Sequence, residues 1–481
     1  MRDGKGRPYR DNVTNKNTLH AGVARRIITP PKGIFLIGYG DRTKGNIGVH
    51  DDLTATALVL DDGKTRIAIV ALDLLAINEF VVDRVRAGLK SRAGFESRPT
   101  GVTEVVLCCS HTHSGPIAYA DEKSSRLNRD YINMLVERIV EAVDEAGNNL
   151  APARLEWSQG EADIAINRRE RQADGHFEIG RNPEGVVDRS VQVVSIYSLL
   201  LAKHSRREQG EGSGVRVATL VNFPCHGTIL GPDNLLASAD WIGAMRSKVE
   251  KELGGMALFL QGATGNLNPD MYWDDARAFE MAREEGERVA ETVVTACRLK
   301  SEKLRGTPLG IARREAWLPL EVAAVTSHPP KSYRRPLLAM AGLPSWMGFL
   351  TDSLLDIRYP WKSRLEARNG VWSVPMRVNA VRLGELGLVT FGAETFTEIG
   401  LAVKAQSPAK HTLFASVTDG CISYLHTTAA HAEGGYEVDM APYAYRYPGR
   451  LAAECEKIAL DATHETMDNL WKENTLAFSR L

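Results

Sequence analysis

The stretch TEVVLCCSHTHSGP, residues 103–116, decides how the rest of the chain is read. Its first half is a short apolar run with β-branched residues, and it reads as a buried strand. Its second half is a polar loop that holds two of the chain's 12 histidines, His111 and His113, and closes on Gly115 and Pro116. The same order of run and loop recurs. RVATLVNF (216–223) leads into PCHGTILG, and MALFLQ (256–261) into GATGNLNPD. LGLVTF (386–391) leads into GAETFTEIG, and TLFASV (412–417) into TDGCISYLHTTAAHAEGGYEV. TRIAIVALDLL (65–75) is another strand-like run, while residues 130–147, 274–300 and 451–473 carry the apolar spacing of amphipathic helices. The mixture predicts an α/β fold of mixed β-sheets flanked by helices, with the sheets buried. In such sheets ligands bind beyond the carboxyl ends of strands, where glycines let the backbone come close. One cleft assembled from distant parts of the chain is therefore expected.

The 481 residues are read as a loosely attached arm over 1–20 and a single domain over 21–481. Lys and Arg number 59 and Asp and Glu 60, a net charge of −1. That balance carries no electrostatic footprint for nucleic acid, though it permits a local basic pocket. Six cysteines without CxxC spacing point to a reducing compartment. The first twenty residues hold no apolar signal core, so a cytoplasmic location is expected. A longer native N-terminus would change that to secreted or periplasmic. No charge-free apolar run reaches the length of a membrane span. The nearest is PLLAMAGLPSWMGFLT (336–351), broken by Gly and Pro and read as a candidate for membrane-surface contact. KHSRREQGEGSG (203–214) reads as an exposed loop between two strands. Residues 322–372, rich in Pro, Trp and Met, read either as an irregular surface excursion or as a lid over the site.

His111 or His113, together with His226 and Glu394, make a His₂Glu set, which suits a catalytic zinc with a position left open for water. Each member also has a plainer reading from spacing alone. HxH occurs in many chains, a lone histidine is usually a satisfied structural residue, and a glutamate after a strand often faces a helix N-terminus. Asp240 in SADWIG reads first as a helix N-cap. GVHDDL (48–53) and Asp73 fall near strand ends, where a carboxylate can orient a metal-bound histidine.

HTHSGP, GNLNPD and a tyrosine followed twelve residues later by a Tyr-Glu pair together resemble the neutral/alkaline ceramidase family. These are zinc-dependent amidases that split ceramide into a sphingoid base and a fatty acid. The similarity runs in the family's order from AGVARRIITPP (21–31) to GGYEV (434–438). It implies one zinc ion per chain, held by His111, His226, Glu394 and Tyr424. It implies that His113 contacts the reacting amide and that Arg168, with neighbouring Arg169 as the alternative, binds substrate beside Tyr436. Two departures stand out. Asn268 occupies the place of a serine essential in the family. The helical segment after GGYEV is read as leaving no room for the family's C-terminal immunoglobulin-like domain of about 100 residues, so that domain is expected to be missing here. The expected activity is hydrolysis of an N-acyl, possibly ceramide-like amide by attack of metal-bound water, in lipid metabolism. Alternatives are an esterase, lactonase or deacetylase of a small non-lipid substrate, or a non-catalytic homologue that binds metal or ligand. Substrate, general base and oligomeric state stay open at this level.

Overall fold

The computed structural model describes residues 18–40, 42–91, 103–119, 125–200, 214–270, 276–322, 364–445 and 447–478. Most of the expected arm (1–17), nearly all of the polar loop (203–213), the segment 336–351 and residues 323–363 lie outside them. Leu19 is buried and His20 opens the first strand, so the packed chain begins before the expected boundary at residue 21.

Two sheets stack face to face, and each is covered on its outer face by helices. Among the described residues the larger sheet has nine strands. Its order is Met256–Gln261, Val215–Phe223, Ser190–Ser198, Ala151–Glu161, His20–Ile27, Thr54–Asp61, Arg66–Leu72, Thr103–Cys109, with Glu302–Leu304 against Ala151–Glu161. The smaller has five: Leu309–Pro319, Val371–Leu383, Leu386–Phe391, His411–Ala415, and Glu366–Arg368 against Val371–Leu383. Most pairs are antiparallel. Three are parallel: Arg66–Leu72 with Thr103–Cys109, Val215–Phe223 with Met256–Gln261, and Leu386–Phe391 with His411–Ala415. Parallel partners run the same way, so within each pair the two carboxyl-terminal loops emerge side by side.

The apolar runs are continuous because these strands are buried on both faces. Ile67, Ile69 and Ala71 point between the sheets, against Leu386, Leu388 and Leu413 of the smaller one. The alternate residues Ala68, Val70 and Leu72 point outward against Val82 and Val85 of helix Glu79–Ser91 and Ile132, Leu135 and Ile139 of helix Arg126–Asn148. Ser125 caps the latter helix by accepting the Asn128 N–H. Helices Trp241–Leu253 and Ala278–Leu299 cover the other end of this sheet, with Trp241, Met245, Val289 and Val293 packed on Phe223 and Phe259. They cross closely at Gly286, where a Cβ would stand 2.2 Å from the Trp241 carbonyl oxygen. Helix Cys455–Phe478 lays Ala459, Ala462 and Met467 on the outer face of the smaller sheet.

Two expectations change. The helices start at Arg126, Ala278 and Cys455 rather than at 130, 274 and 451. The end of the expected excursion is regular: Glu366–Arg368 folds back on Val371–Leu383 through Asn369 and Gly370, whose φ values are 50° and 79°. Two consecutive positive φ angles are what a two-residue type I′ hairpin turn requires, and Asn-Gly supplies them at low cost. Among the described residues no helix is long and apolar enough to cross a membrane.

Candidate metal centre and substrate site

Beyond Cys109 the chain turns through His111, whose φ of 62° lies in the left-handed region. A non-glycine residue held there is strained, and it persists because its surroundings determine it. The His111 N–H donates to the Leu74 carbonyl at 2.9 Å, and its ring Nδ1–H to the Leu75 carbonyl at 2.9 Å. Thr112 then makes a single parallel bridge to Gly227, and the His113 N–H donates to the Gly227 carbonyl at 2.9 Å. This bridge, not a strand's two-residue period, brings both histidines beside His226. His226 donates Nδ1–H to the Leu267 carbonyl at 2.7 Å, while the Trp241 indole N–H holds the His226 carbonyl at 2.9 Å.

The smaller sheet supplies the other half. After Phe391 and Ala415 the two loops pair once more, with Glu394–Thr395 parallel to Tyr424–Leu425 and Glu394 directly opposite Tyr424. Ser423, at φ 101°, sets the turn and accepts the Glu394 N–H at 2.9 Å. Glu394 Oε2 then lies 3.1 Å from Nε2 of His111 and 3.4 Å from Nε2 of His226.

These distances decide what the centre can hold. A carbonyl can only accept, so each Nδ1 carries a proton and each Nε2 is the nitrogen turned toward Glu394. Burial pushes the His226 pKa down to about 4, so that ring is neutral. Burial opposes ionisation of Glu394, but His111 and His226 overcome it and hold the carboxyl well below the usual range. Two imidazole Nε2 atoms and a carboxylate oxygen thus face one another in a buried space, and Nε2 of His226 has no hydrogen-bond partner. Two imidazoles and one carboxylate, each imidazole oriented through its other nitrogen, are a donor set that fits a zinc ion. Tyr424 is 5% exposed beside them. Burial and then the charge of Glu394 keep its phenol protonated well above the ordinary pKa.

His113 belongs to the same cluster. Donor atoms of His111, His113 and His226 all lie within 4.8 Å of one another. Yet neither ring nitrogen of His113 has a partner, so nothing orients its ring as carbonyls orient the other two. Its ring is held by packing instead. Tyr39 meets it edge-on at 5.1 Å, and Gly38 (φ 119°) passes so close that a Cβ there would stand 2.5 Å from Nδ1. Arg42 donates to the His113 carbonyl.

Arg168 approaches from strand Ala165–Arg171, which pairs with Leu267–Pro269 and brings Asn268 opposite Ile166. Successive strand residues ordinarily face opposite sides. Here the ladder to Phe177–Asn182 is irregular between Asn167 and Arg169, and Arg168 and Arg169 both reach one carboxylate. Glu437 accepts from Nε of Arg168 at 2.8 Å and from Nη1 of Arg169 at 3.0 Å. Arg169 is further held by Glu433 and the Gly434 carbonyl, between the rings of Phe177 and Phe396. Arg168 gives Nη1 to Asn268 Oδ1 at 3.2 Å and stacks 5.3 Å over the Tyr424 ring, leaving its buried Nη2 without a hydrogen bond. Of the two arginines, Arg168 is the one with a fully buried donor to spare. Glu437 and Tyr436 ride on a π-helical turn, Tyr436–Met440, entered through Gly434 and Gly435. Tyr436, 36% exposed, lies 5.9 Å from the Tyr424 ring.

The carboxylates expected behind the histidines do other work. Asp73 binds Arg246 and Thr54, and Asp51 binds Ser238 and the Ala239 N–H. The two carbonyls take the orienting role instead. Asp240 is the expected N-cap, and its carboxylate also accepts the N–H groups of Ile229 and Leu230, fixing the loop after His226. Reading the sequence missed Glu437, although it stands in the quoted GGYEV. It also missed Tyr445, whose hydroxyl donates to Glu394 Oε1 at 2.6 Å and which no motif marks.

Comparison with known proteins bears on this geometry. Residues 20–300 match the profile of the neutral/alkaline non-lysosomal ceramidase N-terminal region. The chain is 25% identical to the neutral ceramidase of Mycobacterium tuberculosis over 256 residues, 49% of this chain and 38% of that protein. It is 25% identical to the neutral ceramidase of Oryza sativa subsp. japonica over 253 residues, 50% of this chain and 30% of that one. The matched part thus spans less than two fifths of either relative. The fold is similar to the crystal structure of neutral ceramidase from Pseudomonas aeruginosa, with a TM-score of 0.70 and 19% identity over 95% of this chain and 75% of that one. A structure described as ceramidase complexed with C2 gives a TM-score of 0.68 at 18% identity over 95% and 76%. The structural likeness extends past residue 300 and covers the half that carries Glu394, Tyr424 and Tyr436. With the profile matching more than half of its length, the chain belongs to the neutral/alkaline non-lysosomal ceramidase family.

Proposed function

We propose that this protein is a zinc-dependent amidohydrolase that cleaves the amide of a lipid-like N-acyl substrate. One zinc ion is held by His111, His226, Glu394 and Tyr424. The observation that carries this reading is the convergence of two carbonyl-anchored Nε2 atoms on one Glu394 oxygen, an arrangement that suits a metal cation. His113 has no such anchor, and we assign it to the substrate side. When bound, zinc would polarise the scissile carbonyl and lower the pKa of water from about 15.7 toward about 7.

The chain's own groups do the rest. Nη2 of Arg168, fixed by Glu437 and Asn268 but itself unpartnered, donates to the oxygen that gains charge in the transition state, and Tyr436 borders it at the mouth. Burial, then His111 and His226, hold the His113 pKa well below the usual value, so its ring is neutral. Such a ring takes a proton at one nitrogen and passes one from the other to the leaving amine. Asn268 spends Oδ1 on Arg168, which leaves its amide N–H groups to orient substrate. It has no hydroxyl, so the nucleophile is water rather than a side chain.

Protein purified without added metal should contain about one zinc per chain and hydrolyse a panel of N-acyl amides faster than the corresponding esters. A folded, zinc-free His226→Ala chain that keeps full activity would overturn the metal mechanism.

A further inference from the structure

Glu394 faces two imidazoles with one oxygen and turns the other away from them. That second oxygen, Oε1, accepts the Tyr445 hydroxyl at 2.6 Å. A carboxylate can only accept at this distance, so Tyr445 is the donor. We infer that Tyr445 is a positioning residue that locks Glu394 as a one-oxygen metal donor. The inference rests on the metal reading above and deepens it.

Three observations support the assignment. The last torsion of a glutamate is broad and two-fold, so an untethered Glu394 could swing either oxygen, or both, toward the centre. A hydrogen bond to an ionised carboxylate is strong enough to choose one. The tyrosine is itself well placed to choose, because its ring packs against both the core of the larger sheet with its helices and the core of the smaller sheet. Its hydroxyl is therefore positioned by the two halves that supply His111 and His226 on one side and Glu394 and Tyr424 on the other. Finally, Tyr445 follows helix Ala441–Ala444, which continues the π-helical turn bearing Tyr436 and Glu437. One ten-residue element thus reaches both the arginine side and the metal side of the site.

The test is Tyr445→Phe in the full chain, which keeps the ring and removes one oxygen. Zinc affinity is measured by competition with a chromogenic chelator, and unfolding midpoints are measured with and without zinc. The zinc dissociation constant should rise about 10–100-fold, the size of effect seen when orienting partners of metal ligands are removed. The zinc-induced rise in midpoint should shrink, while the metal-free midpoint holds. A phenylalanine chain that binds zinc as tightly as wild type overturns the tether and leaves the metal reading standing. A chain that loses its metal-free unfolding transition along with zinc overturns positioning in favour of a structural role. If wild type itself takes up no zinc, the metal reading falls and the tether falls with it.

Discussion

Glu437 is one acid shared by two buried arginines, and removing it should be costly in a way that can be calculated. Its carboxylate is 2% exposed and lies 2.8 Å from Arg168 and 3.0 Å from Arg169. In Glu437→Ala, Arg168 keeps its hydrogen bond to Asn268 and its stack on Tyr424 but no carboxylate bond, and Arg169 keeps Glu433, itself 41% exposed, and a carbonyl. Breaking a buried pair by deleting one partner costs about 3–5 kcal/mol, because the other charge stays buried without compensation. Unfolding entropy near 60 °C is about 2.1 cal/mol/K per residue, or about 1 kcal/mol/K over a chain of this length. The unfolding midpoint should therefore fall by about 3–5 °C. Calorimetry at neutral pH on wild type, Glu437→Ala and the double variant Glu437→Ala/Arg168→Met reads the effect. The double variant should recover part of the loss, since one uncompensated cation goes with it. A Glu437→Ala midpoint within about 1 °C of wild type, or strictly additive losses in the double variant, would show that the shared carboxylate does not compensate the arginines.

Gly38→Ala puts a methyl group into the His113 ring from a backbone at φ 119°. Turnover should fall by about 100-fold, the order expected for a misplacement near 1 Å, with zinc content unchanged; wild-type turnover would remove Gly38 from the reasoning. Burial raises the Asp240 pKa from 3.8 to about 6 against three opposing backbone N–H bonds. The folded state therefore holds this proton where the unfolded state has lost it. The associated stability is full below pH 3.8 and is lost as pH rises through about 6, about 3 kcal/mol in all. Asp240→Asn has no such titration, so urea unfolding should find it gaining about 3 kcal/mol on wild type between pH 4 and pH 7; a pH-independent difference refutes the assignment. Asn268→Ser restores the family's hydroxyl next to Arg168 and should raise ceramide hydrolysis relative to a short N-acyl amide. No change in that ratio would mean that residue 268 does not set the substrate class.

The sheets were legible in the sequence wherever strands are buried on both faces. TEVVLCC coincides with the strand Thr103–Cys109 because its two faces meet two different apolar layers. Strands that carry function were harder to see. AINRRER is a strand in which Arg168 and Arg169 are buried by ion pairing, which no hydrophobic pattern reveals. VWSVPMRVNAVRL holds a proline, ordinarily a mark against a central strand. It is tolerated because Pro375 precedes the ladder to Leu386–Phe391, which begins at Val378. At the site, short motifs mark the residues proposed to meet substrate or metal. The groups that hold those residues are carbonyls at Leu75 and Leu267, which every residue type offers, and Tyr445, which sits in a segment without periodicity. Position in space, not residue type, makes them functional. The Asn369–Gly370 turn is the opposite case, a local signal plain in the sequence and hidden by its irregular surroundings.

The two loop bridges, Thr112 to Gly227 and Glu394 to Tyr424, have a consequence for assembly. Each joins residues of one sheet's loops, so each half of the chain carries half of the proposed ligand set. Neither half alone offers more than two of the four ligands. Zinc uptake would then report docking of the halves, and two co-expressed fragments divided between residues 300 and 364 would regain a full ligand set only by reassembling. A metal placed at such a seam acts as a clasp, and its binding energy is counted in the cohesion of the two sheets as well as in catalysis.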